Sequence, residues 1–495
     1  MNLEIEHNKY IYKKDHLNNG LNKYLKSVLN KFSSSILFCD DEGNYFYYGD
    51  IKNIFSTKTK SLIKRRLIFC FCDNEISSLA GYLYFLSEEA IPMMIKLDTS
   101  KDQVSNLLEK YSPKYIWVNK NSNSIFKDYF EIDGFGKYIL IEKKSIDFKI
   151  HSSLSLLIGT SGSTGNTKFV RLSYKNIISN AIAIADYLKI TNSEIPITTL
   201  KPSYTFGLSI LHSHVIKGAR IAVTKKTFFD KSFWEFLKSS NSTSISGVPY
   251  HYQIMQKLRF HKMNFENLKT MTQAGGRINI DTAIYFRDLC KKKNIDFYIM
   301  YGQSEGTARL SYLSPKNLSN KIGSIGQAIP GGEFWIENNN KKVDINVNGE
   351  LIYSGPNVSM GYAKNYTDLI KNDENKFVLK TGDIAYKDSD SFYYVVGRLT
   401  RFVKLFGHRV NLFDLEIWFE KKNIKIICSG KDDLLELYFE AKNIHLFESC
   451  YQKFLKEFKI PIHIINAYSI DSFPLGESGK ILFKDLNPSL GKKIK

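Results

Sequence analysis

The chain has few cysteines and no long apolar run. Its 495 residues include six cysteines, which form no CxxC pair and no spacing typical of a metal site or a disulfide framework. No window reaches the roughly 18 apolar residues that a membrane span requires, and the amino-terminal stretch lacks the apolar core of an export signal. These absences exclude a disulfide scaffold and a transmembrane protein, and they favour a protein of the reducing cytoplasm.

Acidic residues are also scarce. Lysine and arginine together number 69, against 50 aspartates and glutamates, which gives a formal net charge of +19. Such an excess favours anionic partners, including nucleic acid and acidic membranes. The lysines are scattered along the chain, however, and no nucleic-acid recognition module accompanies them. We therefore expect no nucleic-acid binding, and we interpret the charge as a compositional bias that can attract ATP, coenzyme A or an acidic carrier protein.

The chain lacks internal repeats and long low-complexity segments, and strand-like apolar runs alternate with helix-like amphipathic stretches. Its length, with 43% hydrophobic residues, predicts two or more domains with ample cores. The run at 67–72 precedes a helix-like stretch at 77–87, and the run at 221–223 precedes one at 233–239. This alternation predicts an α/β fold with largely parallel sheets.

A segment rich in glycine and hydroxyl groups follows the apolar run at 154–158. This phosphate loop, residues 159–168, reads GTSGSTGNTK. Its glycines let backbone N–H groups approach an anion, its serines and threonines add donors, and its lysine adds positive charge. It is not a GxxxxGK[ST] P-loop, because it has no Gly-Lys pair and no Ser or Thr after the lysine. The predicted ATP phosphate contacts are Thr160, Ser161, Gly162, Ser163, Thr164, Gly165 and Lys168.

Further motifs follow in order, and they argue against the alternative that this loop is a flexible linker. They are AGG at 274–276, YGQSE at 301–305, GELIYSGPNVSMGY at 349–362, KTGD at 380–383, GR at 397–398, VK at 403–404 and PLGESGK at 474–480. In this order and spacing they resemble the adenylate-forming superfamily of acyl-CoA synthetases, peptide-synthetase adenylation domains and luciferases. The resemblance covers about residues 30–486.

The resemblance implies a two-domain architecture. Residues 1–396 would form a large amino-terminal domain of two α/β subdomains with a small β region. Residues 397–495 would form a small, mobile α+β domain that rotates between two half-reactions. The family's hinge aspartate is Thr400 here, and the glutamine of its QVK motif is Phe402. These departures bear on the hinge more than on the chemistry.

The resemblance also implies a reaction in two steps. ATP and Mg²⁺ would activate a carboxylic acid to an acyl-adenylate, and the acyl group would pass to a pantetheine thiol of coenzyme A or of a carrier protein. Lys480 would act in the first step, and Lys404 with Gly407 in the second. Ser304 would contact the α-phosphate, and Glu305 would bind Mg²⁺, because a hard cation between phosphates prefers carboxylate oxygens.

The remaining nucleotide contacts implied by the family are an adenine site and a ribose site. Tyr301 would stack on one face of adenine, and Gly275 and Gly276 would lie close to the other. Asp383 would accept hydrogen bonds from the ribose hydroxyls. Arg398 would lie nearby and use its forked donors on ribose or phosphate.

The stretch PSYTFGLS at 202–209 falls where the family has HxxG or FDxS, and it informs the acid pocket. Tyr204 takes the place of the histidine, and Gly207 that of the aspartate that pairs with an α-ammonium. An α-amino acid would leave a buried, unpaired cation, which costs several kcal/mol. A non-amino carboxylic acid is therefore favoured. The predicted pocket residues are Tyr204, Phe206, Gly207 and Tyr250.

The sequence leaves other functions open beside the favoured AMP-forming acid–thiol ligase. An acyl-adenylate ligase could deliver to an amine, or could load an amino acid onto a carrier protein. A noncatalytic ATP-binding paralogue would have no reason to keep Glu305, Asp383, Arg398 and Lys480 together. A lysine-rich nucleic-acid binder is the weakest alternative, since it would need a recognition module.

Overall fold

The computed structural model describes residues 21–144, 147–160, 168–399, 401–405, 408–458, 460–476 and 481–495. The chain divides into two compact units. Of the described residues, the first contains those within 21–160, 168–333 and 353–379, and the second contains those within 334–352 and 380–495. The division predicted between 396 and 397 falls inside the second unit, and it stays a prediction about which part of the protein rotates.

The largest sheet of the first unit has eight strands. Their order across the sheet is Tyr362–Ala363, Phe169–Ser173, Leu154–Gly159, Ile91–Met94, Leu67–Cys70, Tyr115–Asn119, Tyr138–Glu142 and Phe130–Phe135. The four strands from 154–159 to 115–119 run parallel to one another, and the outer strands pair antiparallel. Ile68 and Cys70 face one buried core, and Leu67 and Phe69 face another. Both faces of this sheet are therefore covered, as parallel strands require.

Two smaller sheets complete the strands of the first unit. One has the order Ser244–Gly247, Thr270–Gln273, Asp296–Tyr301, Ser311–Leu313 and Gln327–Ala328, of which the first three strands are parallel. The other has the order Ile221–Val223, Ile36–Asp40 and Tyr45–Tyr47.

The helices of the first unit begin where side chains satisfy free backbone N–H groups. Ser100, Ser173 and Asn279 each accept a hydrogen bond from the first turn that follows them, as N-cap residues do. The α-helices are Leu21–Lys31, Thr57–Ile63, Ile76–Ser87, Lys101–Tyr111, Tyr174–Tyr187, Thr205–Val215, Lys231–Ser239, Pro249–Lys257, Ile280–Lys292 and Leu318–Lys321.

The described part of the second unit contains three sheets and two α-helices. Its five-stranded sheet has the order Lys341–Lys342, Glu333–Asn338, Gly349–Ser354, Val378–Lys387 and Tyr393–Arg398. A two-stranded sheet pairs Phe402–Leu405 with His408–Asn411, and a four-stranded sheet has the order Ile426–Lys431, Leu434–Glu440, Ile465–Ile470 and Gly491–Lys493. The helices Leu412–Glu420 and Ile444–Phe458 supply Phe419, Phe447 and Phe454 to one apolar core.

The structure confirms the predicted α/β class. The run at 67–72 forms the strand Leu67–Cys70, and the stretch at 77–87 forms the helix Ile76–Ser87. All six cysteines are buried and unpaired. Among the described residues, no helix combines the length and the apolar character that crossing a membrane would require.

Candidate active site

Two predicted nucleotide motifs lie at one edge of the five-stranded sheet of the first unit. The strands Ser244–Gly247, Thr270–Gln273 and Asp296–Tyr301 are adjacent and parallel, so their carboxyl ends meet at the same edge. The AGG motif directly follows the second strand, and the YGQSE motif begins at the last residue of the third. Carboxyl ends of parallel strands are where open α/β sheets bind their ligands.

Gly302 sets the shape of the loop that follows Tyr301. A Cβ atom at this position would lie 1.7 Å from the carbonyl oxygen of Ala308. Ala308 itself has a positive φ of 102°, a conformation that residues with side chains rarely adopt. The loop therefore turns back on itself tightly, and in doing so it presents Ser304 and Glu305.

Ser304 contacts the stretch predicted to form the acid pocket. Its Oγ lies 2.6 Å from the Oγ1 of Thr205, within hydrogen-bond distance. Thr205 is buried and begins the helix Thr205–Val215. The predicted α-phosphate contact and the predicted acid pocket are thus neighbours.

Glu305 lies beside the end of the phosphate loop. The hydroxyl of Tyr362 donates to its Oε1 at 2.6 Å, and Lys168 Nζ lies 5.7 Å from the centroid of the Tyr362 ring. Tyr362 belongs to an edge strand that pairs with Phe169 and Val170. Burial, reinforced by Glu305, raises the pKa of Tyr362, so its hydroxyl stays protonated and donates at neutral pH. Lys168, Tyr362 and Glu305 form what we term the Glu305 cluster.

Tyr204 and Gly275 lie against each other. A Cβ atom on Gly275, where φ is +83°, would lie 2.4 Å from the Tyr204 hydroxyl oxygen. Burial raises the pKa of Tyr204 to about 12, and the buried Phe206 ring lies 6.3 Å from the Tyr204 ring. Gly276 has more room, since a Cβ there would lie 3.3 Å from Pro249 Cγ. Tyr250 is half-buried in the first turn of the helix Pro249–Lys257.

Backbone atoms occupy the space that a side chain at position 207 would need. A Cβ atom at this position would lie 2.5 Å from the carbonyl oxygen of Lys201 and 2.9 Å from that of Leu200. An aspartate could enter here only if the backbone moved. The absence of a carboxylate at position 207 is therefore enforced by close packing, while the predicted preference for non-amino acids stays a prediction.

Sequence reasoning missed Arg171, which holds the strand that carries Tyr362. Its guanidinium is wholly buried and donates to the carbonyl oxygens of Met360, Tyr362 and Lys371 and to Glu374 Oε2 at 2.6 Å. An arginine between the apolar residues Val170 and Leu172 was the available signal, since a buried charge needs partners.

Asn357, which sequence reasoning also missed, braces the loop that carries Ser304 and Glu305. Its Nδ2 donates to the carbonyl oxygens of Gly306 at 2.8 Å and Arg309 at 3.1 Å. Its Oδ1 accepts from the Tyr353 hydroxyl at 2.8 Å. The GPNV part of the motif at 349–362 thus serves the shape of the neighbouring loop.

Replacing Asn357 by alanine is expected to destabilise the protein. The change removes the Asn357 donor from the buried carbonyl oxygen of Gly306 and one of the two side-chain donors from that of Arg309, which also bonds Asn180. Such a loss costs about 1–3 kcal/mol. A loss of that size lowers the midpoint of thermal unfolding by about 1–4 °C in a unit of this length, measurable by circular dichroism. Asn320, whose side chain is exposed, is the control, and Asn320→Ala should leave the midpoint unchanged. Equal midpoints for both variants would contradict the bracing role.

In the second unit, Asp383 and Arg398 face each other across paired strands. Arg398 Nε donates to Asp383 Oδ1 at 2.7 Å, with the aspartate 3% exposed and the arginine 59% exposed. Gly382, the preceding residue of the strand Val378–Lys387, has a φ of +72° and donates its N–H to Glu350 Oε1 at 3.2 Å. The structure thus brings together the two predicted ribose contacts.

Lys404 is exposed on the strand Phe402–Leu405, and its carbonyl oxygen accepts from the N–H of Asp433. Glu416, in the helix Leu412–Glu420, accepts hydrogen bonds from both terminal nitrogens of Arg401 and from the N–H of Cys428. These hydrogen bonds give Glu416 a structural role.

Several predicted site residues lie outside the described residues: Ser161, Gly162, Ser163, Thr164, Gly165, Gly407 and Lys480.

The residues present fit a magnesium ion that arrives with ATP. Among the described residues, no three or more His, Cys, Asp or Glu side chains are grouped so as to hold a metal on their own. Mg²⁺ is usually held by one or two carboxylates together with phosphate oxygens and water. The single carboxylate of Glu305, beside the end of the phosphate loop, meets that requirement.

Comparison with known proteins decides the family. The sequence profile of the AMP-binding enzyme family matches residues 80–363, more than half of the chain. The chain belongs to the AMP-binding enzyme family. It is 25% identical over 359 residues to a 2-succinylbenzoate–CoA ligase of Bacillus cytotoxicus, covering 70% of this chain and 72% of that one. It is 28% identical over 349 residues to one of Listeria monocytogenes, covering 67% and 69%.

A solved structure shares the fold. The o-succinylbenzoate CoA synthetase (MenE) of Bacillus subtilis, in complex with its acyl-adenylate intermediate, superposes with a TM-score of 0.75 at 18% identity, over 95% of this chain and 99% of that one. The predicted family and fold are therefore confirmed, and with them the prediction of an AMP-forming acid–thiol ligase. The predicted site residues stay predictions.

Proposed function

We propose that this protein activates a non-amino carboxylic acid with ATP and Mg²⁺ and transfers the acyl group to coenzyme A. The observation that carries the proposal is the Glu305 cluster, in which a carboxylate and a lysine share one tyrosine at the end of the phosphate loop. Ser304, the residue before the carboxylate, contacts Thr205 of the acid-pocket stretch. These contacts support the proposal, because the residues predicted to bind the metal, the phosphates and the acid are neighbours.

In the proposed reaction, negative charge develops close to the residues that could stabilise it. The acid's carboxylate attacks the α-phosphorus while pyrophosphate leaves, and negative charge spreads over the phosphate oxygens. The Ser304 hydroxyl would orient the α-phosphate, and Lys168 would face the departing phosphates. Glu305 would hold Mg²⁺, which would neutralise part of that charge. Lys480 would supply positive charge beside the reacting carboxylate, and Lys404 would serve the thiol step.

The acid first to be tested is 2-succinylbenzoate, because the similar ligases from Bacillus cytotoxicus and Listeria monocytogenes are named for it. Those names also favour coenzyme A over a carrier protein as the acceptor. We place the reaction in the cytoplasm, since six buried, unpaired thiols suit a reducing compartment.

Turnover is expected to release AMP and pyrophosphate. The reason is that attack at the α-phosphorus leaves the acyl group on AMP, while attack at the γ-phosphorus would leave ADP. Chromatography of the nucleotides after incubation with ATP, Mg²⁺, coenzyme A and 2-succinylbenzoate checks the prediction, with an incubation lacking the acid as the control. Acid-dependent release of ADP would exclude the proposed function.

A further inference from the structure

Arg309 is wholly buried in the first unit, yet its partners are neutral. Nη1 donates to the Tyr187 hydroxyl at 3.2 Å and lies 2.6 Å from Met300 Sδ, and Nη2 donates to Ser209 Oγ at 3.2 Å. Its Nε has no hydrogen-bond partner. Within the described part of the chain, no carboxylate forms an ion pair with this guanidinium.

A buried guanidinium without a counter-charge is unusual, because taking its charge out of water costs free energy. Arginine ordinarily loses its proton only above about pH 12, so it cannot escape burial by becoming neutral near pH 7. Arg171, the other wholly buried arginine of this unit, shows the usual solution, with Glu374 at 2.6 Å and four backbone carbonyl oxygens as partners. Arg309 has no such counter-charge, which indicates a site awaiting an anion.

The Arg309 guanidinium lines a small cavity of about 20 Å³, enough for a water-sized group. His214 and Glu194 also line it. Burial lowers the pKa of His214 to about 4, so that ring is neutral at pH 7. The Glu194 carboxylate accepts a hydrogen bond from the Thr243 hydroxyl at 2.5 Å. It forms no ion pair with Arg309 in the described structure. The charge of Arg309 is therefore not cancelled within this cavity.

Arg309 lies directly behind the predicted acid pocket. Its Cζ is 4.3 Å from the centroid of the Phe206 ring. Burial raises the pKa of the Tyr204 hydroxyl, and the positive charge of Arg309 acts in the opposite direction and lowers it. Thr205, between Tyr204 and Phe206, contacts Ser304. Arg309 therefore adjoins residues of the predicted acid pocket.

We propose that Arg309 determines specificity by binding a second anionic group of the acid, so that the substrate is a dicarboxylate. This inference rests on the proposed function. A guanidinium binds a carboxylate through two parallel N–H···O bonds, and one end of a diacid would supply the missing counter-charge. The acid named for the similar ligases, 2-succinylbenzoate, carries two carboxylates.

Acid-dependent pyrophosphate exchange by the full chain tests the proposal with matched acids. One pair is 2-succinylbenzoate and 4-oxo-4-phenylbutanoate, which lacks the ring carboxylate, and the other is hexanedioate and hexanoate. The wild type should favour the diacid of at least one pair by roughly a hundredfold in kcat/KM, as expected for a buried charge pair. Arg309→Met should bring that ratio near one while activity on the monoacid persists. Arg309→Lys, which keeps the charge, should retain part of the preference.

Arg220→Met is the matched control, because Arg220 is a half-buried arginine of the same unit that donates to a backbone carbonyl oxygen. It should leave the diacid preference unchanged. A wild type without diacid preference overturns the inference even if Arg309→Met does not fold, and so does an Arg309→Met variant that keeps the ratio. Absence of exchange with every acid would overturn the proposed function and this inference together, whereas exchange without diacid preference overturns the inference alone.

Discussion

Replacing Lys480 by alanine is expected to lower adenylation by about a hundredfold or more, because the change removes positioned charge from the transition state. Acid-dependent pyrophosphate exchange measures that step. Thioester formation from supplied acyl-adenylate should survive, since the predicted rotation of residues 397–495 withdraws Lys480 before the thiol enters. The two assays together therefore separate the half-reactions.

Lys492 provides the control for this experiment. It is an exposed lysine close to Lys480 in sequence, on the last strand of the second unit, and Lys492→Ala should leave both half-reactions unchanged. If Lys480→Ala lowered both half-reactions to the same extent, the two-conformation scheme would not apply to this protein. If it lowered neither, the assignment of the PLGESGK motif would be wrong.

Local patterns were sufficient to predict the α/β class. An apolar run of strand length followed by a helix-period stretch is legible within about 20 residues, so the strand Leu67–Cys70 and the helix Ile76–Ser87 were found within two residues of their ends. The order of the motifs supplied the family. Parallel strands then bring the AGG and YGQSE motifs to one sheet edge, because each follows the carboxyl end of a neighbouring strand.

The contacts that shape the site could not be predicted in the same way. Thr205 lies 99 positions from Ser304, and Tyr362 lies 57 positions from Glu305. No local period links residues so far apart in sequence, and the pairing depends on how the sheets are stacked. The sequence offered only local composition as a signal for such contacts, for example an arginine between apolar residues. Arg171 and Arg309 both stand between apolar residues in the sequence, yet Arg171 is paired with Glu374 and Arg309 lines a cavity.

The position of Gly207 shows that a residue singled out from the sequence can be a poor site for a mutational test. Family comparison identified it as the site of a missing aspartate, which suggests restoring that aspartate. The carbonyl oxygen of Lys201, 2.5 Å from the position of a Cβ, means that Gly207→Asp would disturb the backbone before it offered a carboxylate. A loss of activity in that variant would therefore say little about amino-acid recognition.

Replacing Gly302 by alanine is expected to lower pyrophosphate exchange by about a hundredfold, because a displacement of about 1 Å in a catalytic loop can cost that much. The added Cβ would lie 1.7 Å from the carbonyl oxygen of Ala308, and backbone on both sides leaves no flexible side chain to move aside. The loop must open, and Ser304 and Glu305 move with it. Exchange measured at saturating ATP and acid separates this effect from weaker binding.

Gly323→Ala is the control for an alanine in place of a glycine. Gly323 has a positive φ of +87° but no atom within 4 Å of a Cβ, so its replacement costs about 1–2 kcal/mol of backbone strain without a clash. That variant should lose some thermal stability and keep its exchange activity. Gly302→Ala should lose activity even at temperatures where circular dichroism shows it folded, because the displaced groups are those that meet the phosphates. A folded, fully active Gly302→Ala would mean that Ser304 and Glu305 do not act from this loop, and the proposed arrangement of the site would fail with it.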